Sequence, residues 1–156
     1  MNANETLITK FYTAFQQRDA ATMASCYHPN IVFNDPAFVN LRGPEAGAMW
    51  KMLCERGKDL VLTFNQVQAD DTTGQAHWEA TYTFSKTGRK VHNIIEARFK
   101  FQDGLIIEHR DSFNFRRWSA QALGLPGLLL GWTPFLQKKV QQEGRHALEK
   151  YMGRNP

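Results

Sequence analysis

The chain has 156 residues, 42% of them hydrophobic and 22% charged, the make-up of one ordinary domain that can bury its own core. Its net charge of +4 is dispersed over Arg116, Arg117, Lys138, Lys139, Arg145, Lys150 and Arg154 near the C-terminus, and no run is dense enough to argue for nucleic acid. The start, MNANETLITK, has no basic-then-apolar leader, and no stretch nears the ~20 apolar residues of a membrane span. A cytoplasmic protein with no membrane partner is therefore expected.

Three helices come first. Residues 4–17 put Leu7, Ile8, Phe11, Ala14 and Phe15 on one side at helical spacing. Asp19 can cap a short second helix, AATMASCY, that buries Met23 and Tyr27. His28, ahead of Pro29, is expected in a loop, and Ile31-Val32-Phe33 reads as a short strand. Gly43-Pro44-Glu45 opens a third helix, with proline in its first turn and glutamate at its positive end, and Gly57 stops it. Met49, Trp50 and Leu53 form its apolar face. Cys26 and Cys54 show no metal spacing and read as reduced thiols in or near the core.

The period then changes to that of strands. DLVLTFNQVQAD, QAHWEATYTF, VHNIIEARFKF and LIIEHRDSFNF alternate in turn, separated by the turns DDTTG, SKTGRK and QDG. An antiparallel meander following a helical segment is an α+β pattern. Ile94 and Ile106 are expected on its otherwise polar outer side, where they would favour a homodimer. The tail, residues 117–156, reads as a helical extension of the same domain. It has a short helix around Trp118, an apolar glycine-broken stretch LPGLLLGW, and a long helix from Pro134 to about Met152. So many consecutive apolar residues are expected to be covered, with Leu128 to Phe135 closing the mouth of the fold or patching its core. A membrane-surface anchor is the remaining reading of this segment.

One face of the meander gathers polar groups among apolar ones. Asp35 shares a side with Ile31 and Phe33, Asn93 with Ile95 and Phe99, and His109 and Asp111 with Ile107, Phe113 and Phe115. A face packed on helices stays apolar unless its polar groups are paired or line a cavity. Trp50, Trp78 and Tyr82 nearby suit the wall of a small-molecule pocket. Each residue also has a plain structural reading. Asp35 before Pro36 can simply end a strand. Asn93 can satisfy backbone, His109 and Asp111 can bond each other, and the tryptophans can be core. No His/Asp/Glu/Cys set has metal-ligand spacing, so neither a metal nor a cofactor is expected.

Helix, helix, YHPNIVFNDPAF, a helix opened by GPEAGAMW, and a meander ending GLIIEHRDSFNFRRW resemble the nuclear transport factor 2-like superfamily. The resemblance covers residues 4–120 and is nearest to the SnoaL-like polyketide cyclase and ketosteroid isomerase-like branch. It implies a cone: a bent antiparallel sheet wrapped on three N-terminal helices, with a cavity at the wide end. Carried over residue by residue, it makes Asp35 of Asp35-Pro36 the match for the isomerase general base. Asn93 stands where that branch has an acidic oxyanion donor. Phe11 stands where it has a first-helix tyrosine, and Tyr12, one residue off, should point elsewhere. Asp111, with His109 on the same face, matches the acid/base of the cyclases. The arginine and second aspartate of the epoxide hydrolases fall at Trp78 and Ala80, which argues against that reaction.

These residues support a cofactor-free acid/base enzyme acting next to a carbonyl of an apolar ligand. Asp35, His109 and Asp111 would be catalytic, and Asn93, Trp50, Trp78, Tyr82, Phe11 and Phe33 would bind substrate. A non-catalytic binder of a small apolar ligand, or a dimeric interaction module, is the alternative. Phe11 and Asn93 favour it, while the co-facing Asp35, His109 and Asp111 favour the enzyme.

Overall fold

A computed structural model describes residues 1–154. The chain order is α1 (Ala3–Gln16), α2 (Ala20–Ser25), β1 (Tyr27–Asn34), β2 (Leu41–Arg42), α3 (Pro44–Arg56), β3 (Val61–Ala69), β4 (Thr73–Phe84), β5 (Arg89–Gln102), β6 (Leu105–Ser112), α4 (Phe115–Leu123), α5 (Leu125–Leu130) and α6 (Pro134–Arg154). Local chemistry sets the helix starts. Asn2 and Glu5 form a reciprocal capping box on α1. Asp19 caps α2 through the Thr22 amide, and Asn114 caps α4 through the Arg117 amide.

The strands form one bent, six-stranded α+β sheet in the order β2-β1-β6-β5-β4-β3. From β3 to β6 every pairing is antiparallel, as the alternating pattern requires. The expected antiparallel meander is thus present, and β1 joins it in parallel beside β6. β1 is also longer than the Ile31–Phe33 segment. It takes in Tyr27, His28 and Pro29, so Tyr27 belongs to a strand rather than to α2, and His28 is not in a loop.

A bulge near the start of β6 shifts the register between the Lys100–Glu108 and Phe101–Ile106 pairs. It changes the phase of the strand, so Ile106 is fully buried while Ile107 is only partly so. Of the two isoleucines expected on the outer face, only Ile94 is there, at 38% exposure. β6 also stops at Ser112, and Phe115 opens α4 instead of continuing the strand.

Two apolar clusters fill the interior. The larger joins α1, α2, α3 and the sheet through Ile8, Phe11, Phe15, Met49, Trp50 and Phe99. The smaller brings Phe115, Trp118 and Ala122 of α4 and Leu136 of α6 onto Val91 of β5. Tyr82 and Phe113 pack against both. The tail therefore covers one end of the sheet, but not with the segment expected. Leu128, Leu129, Leu130, Trp132 and Phe135 are exposed, and Trp118, Leu136 and Val140 do the covering.

Candidate functional site

The parallel β1–β6 pairing places the site. Phe33 lies opposite His109 and Asn34 opposite Arg110. Asp35 follows directly on β1, one residue past the last pair, and its carboxyl lies near enough to Asp111 to feel that charge. Asp35 is only partly exposed, and its carboxyl is largely desolvated. Its Oδ1 accepts the amides of Ala37 at 2.7 Å and Phe38 at 2.6 Å, and its own amide donates to the Phe38 carbonyl. The strand-ending role is thus real and engages one oxygen only. Oδ2 has no hydrogen-bond partner among the described residues. Burial, opposed by the two amides and reinforced by the charge of Asp111, pushes the carboxyl up to about 7.

Asp111 repeats the arrangement. Its Oδ1 takes His109 Nε2 at 2.9 Å and Trp78 Nε1 at 3.4 Å, and its Oδ2 has no such partner among the described residues. Tyr12 Oη is the one fully enclosed side-chain oxygen or nitrogen left unpaired there, so the free oxygens of both aspartates touch open space.

His109 extends the chain inward. Its Nδ1 lies 2.8 Å from Tyr27 Oη, which in turn accepts Trp50 Nε1 at 2.8 Å. An indole can only donate, so Trp50 fixes the direction of that bond. The other end of the chain fixes the second bond: an ionised Asp111 oxygen can only accept, so His109 Nε2 carries the proton, and Nδ1 of the neutral ring is left to accept the Tyr27 hydroxyl. Rings enclose His109 on several sides: Phe99 at 4.5 Å, Phe33 at 4.9 Å, Phe11 at 5.5 Å and Trp50 at 6.1 Å between centroids. Both His109 and Asp111 are buried, at 0% and 3% exposure.

The remaining candidates divide. Tyr82 is half-buried and accepts Trp118 Nε1 at 2.9 Å, which leaves its own proton free. Burial and the charge of Asp35 hold its phenol above the usual range, against the Trp118 bond. Asn93 faces Ala80 across the ladder, diagonal to Tyr82, and its amide has no hydrogen-bond partner among the described residues. Trp50, Trp78, Phe11 and Phe33 are packed into the core around His109. Two open cavities, of about 440 and 290 Å³, lie elsewhere, the first beside Gln75 and Arg98 and the second beside Phe38 and Arg145. Among the described residues, no three His, Cys, Asp or Glu side chains converge as metal ligands would.

Sequence reasoning missed Tyr27 and misplaced Tyr12. Tyr12 does not point elsewhere. It is fully buried, stacked on Phe64 and near Trp78, and its phenol is raised by burial and then by the charges of Asp111 and Tyr27. The signal was present, since Ile8, Phe11, Tyr12 and Phe15 are the i, i+3, i+4, i+7 stripe of a buried helix face.

Residues 8–109 match the SnoaL-like domain model. The chain belongs to the SnoaL-like family. The matched segment runs from the buried face of α1 to His109 and leaves out Asp111 and α4–α6. No curated protein sequence matches the chain. Solved structures share the fold of this SnoaL-like chain at low identity. A Catenulispora acidiphila protein with a ketosteroid isomerase-like fold, solved with trimethylamine, has 15% identity and a TM-score of 0.66, covering 82% of this chain and 97% of its own. A candidate polyketide cyclase from Xanthomonas campestris has 19% identity and a TM-score of 0.62, covering 74% and 93%. An LEH-like epoxide hydrolase from M. tuberculosis has 17% identity and a TM-score of 0.62, covering 82% and 93%. At these identities the likeness concerns the fold; the activities named belong to those proteins.

Proposed function

We propose that this SnoaL-like protein is a cofactor-free acid/base enzyme that moves a proton next to the carbonyl of a small apolar substrate, as an isomerase, cyclase or dehydratase does. The observation that carries the reading is the half-tethered Asp35 carboxyl. One oxygen is held by two amides, the other is free, and its ionisation is pushed up to about 7. A carboxyl titrating near neutrality is suited to take and return a proton. Asp35 Oδ2 accepts the proton from the carbon beside the carbonyl. The C–H electron pair becomes the enolate double bond, and the carbonyl pair moves onto oxygen. The free O–H of Tyr82 and the amide of Asn93 are donors for that oxygen. Protonated Asp35 then returns its proton to carbon, or gives it to a departing hydroxyl, which leaves as water. Two unpaired cysteines, Cys26 and Cys54, suit the reducing cytoplasm.

A second reading has its own observation. His109 and Asp111 Oδ1 are fully bonded within the protein, which also suits a rigid scaffold that binds an apolar ligand without reacting. Solvent-deuterium incorporation into a panel of cyclic apolar ketones, followed by NMR, separates the two. The enzyme reading expects incorporation next to the carbonyl, lowered by roughly 10²–10⁴-fold in Asp35→Asn. Ketone-induced shifts of protein resonances without any incorporation would favour the binder.

A further inference from the structure

The segment from α5 into α6 presents Leu125, Leu128, Leu129, Leu130, Trp132 and Phe135 to solvent, with exposures between 44% and 72%. This display is built into the backbone. Gly127 is the buried residue of α5, and it sits so close to α4 that any Cβ there would overlap the Ser119 carbonyl oxygen. Ser119 Oγ donates to the Gly127 carbonyl at 3.0 Å, and Arg116 Nε donates to the Leu128 carbonyl at 3.3 Å. Glycine is thus the inward contact, and the large side chains face outward. Trp132 Nε1 is tied back to the Leu129 carbonyl at 3.0 Å, which holds the indole on the same knob.

Charge decides what can cover it. From Phe113 to Gln142 the sequence has no aspartate or glutamate, while Arg116, Arg117, Lys138 and Lys139 are all exposed. Two copies meeting face to face through this knob would bring like charges together. A surface with apolar depth and negative charge at its rim complements it. α5 has six residues, and no described helix is long and apolar enough to cross a membrane. We propose that the α5–α6 knob docks on an anionic lipid surface, inserting Leu129, Trp132 and Phe135 to headgroup depth while Arg116, Arg117, Lys138 and Lys139 meet lipid phosphates. This docking is independent of whether the interior site is catalytic.

The test uses the full chain and co-sedimentation with vesicles of phosphatidylcholine mixed with phosphatidylglycerol, or of phosphatidylcholine alone. Trp50, Trp78 and Trp118 are buried, so a blue shift of tryptophan emission reports Trp132. Expected are partition into the anionic vesicles with that blue shift, and loss of both in a Leu129→Ser, Trp132→Ser, Phe135→Ser variant. Lys138→Gln with Lys139→Gln should lower partition by roughly 25-fold, from about five-fold per cation. Because all these side chains are exposed, the variants should keep the wild-type circular dichroism. The proposal is overturned by absence of vesicle binding, by equal partition into neutral vesicles, or by unchanged partition of the serine variant. Light scattering showing a wild-type dimer that the serine variant dissolves would overturn it too, by making a second copy the occupant.

Discussion

Asp35, just past the end of β1, feels the charge of Asp111 near the end of the parallel strand β6, and each carboxyl has one oxygen held by N–H donors and the other free. The donors differ in kind. Asp35 is held by backbone amides of its own turn, and Asp111 by the side chains of His109 and Trp78. Burial first, and then the neighbouring charge of Asp111, pushes the Asp35 carboxyl up to about 7 against the pull of its two amides.

That rise gives a pH signature with a definite sign. The folded-state value lies above the ordinary 3.8, so the native state binds more protons than the unfolded chain between about 4 and 7. Asp35 therefore makes stability fall as pH rises through this window, with its full cost present above about 7. Asp35→Asn keeps an acceptor for the Ala37 and Phe38 amides and removes the charge. Urea denaturation should show the variant more stable at pH 8 by on the order of 1–3 kcal/mol and equal to wild type at pH 4. An identical pH profile for the two proteins would show that Asp35 ionises normally.

Tyr27→Phe should be expensive. It leaves Trp50 Nε1 and His109 Nδ1 buried without their partner, at about 1–3 kcal/mol each. A stability loss of about 2–4 kcal/mol in guanidinium titration is expected. A loss below about 1 kcal/mol would mean that water or rearrangement satisfies both nitrogens.

Tyr12→Phe should do the opposite. Its hydroxyl is enclosed and unpaired, so deleting it removes a desolvation cost without breaking a bond. Thermal unfolding should show equal or higher stability, by up to about 1 kcal/mol. A clear loss would reveal a hydrogen bond to that hydroxyl.

Gly127→Ala places a methyl against the Ser119 backbone, where neither side is a flexible side chain. Overpacking of this kind costs about 1–3 kcal/mol. The change is measured as a lowered urea midpoint with unchanged slope, while unaltered stability would mean that α5 does not sit on α4 as described.

Much of the architecture was legible because it is written in local periodicity. α3 begins at Pro44 and ends at Arg56, where proline and Gly57 put its limits. The four long strands follow their alternation. What was not legible depends on pairs far apart in sequence. Tyr27 looked helical because nothing in YHPN announces a partner in β6. The β6 bulge shifted Ile106 inward by a change of phase that alternation alone cannot encode. Of the site, Asp35 and the His109–Asp111 bond were readable from motif and spacing. The Tyr27 link was not, and the inward turn of Tyr12 was readable but overlooked. The exposed α5 leucines ran against the rule that apolar runs are covered, because Gly127 and not leucine makes the inner contact.

The parallel seam between β1 and β6 also has a consequence for synthesis. β1 leaves the ribosome early, yet its neighbours across the sheet come from residues 105–112 and, on the other side, only from the two-residue β2. Until the last strand emerges, the edge of β1 that faces β6 has no partner. Such distant pairing is slow to form and leaves an open strand edge while it is pending. Nascent chains stalled before β6 should therefore be the aggregation-prone species of this protein, and the hydrogen-bonded chain from Trp50 to Asp111 cannot assemble until β6 has been made.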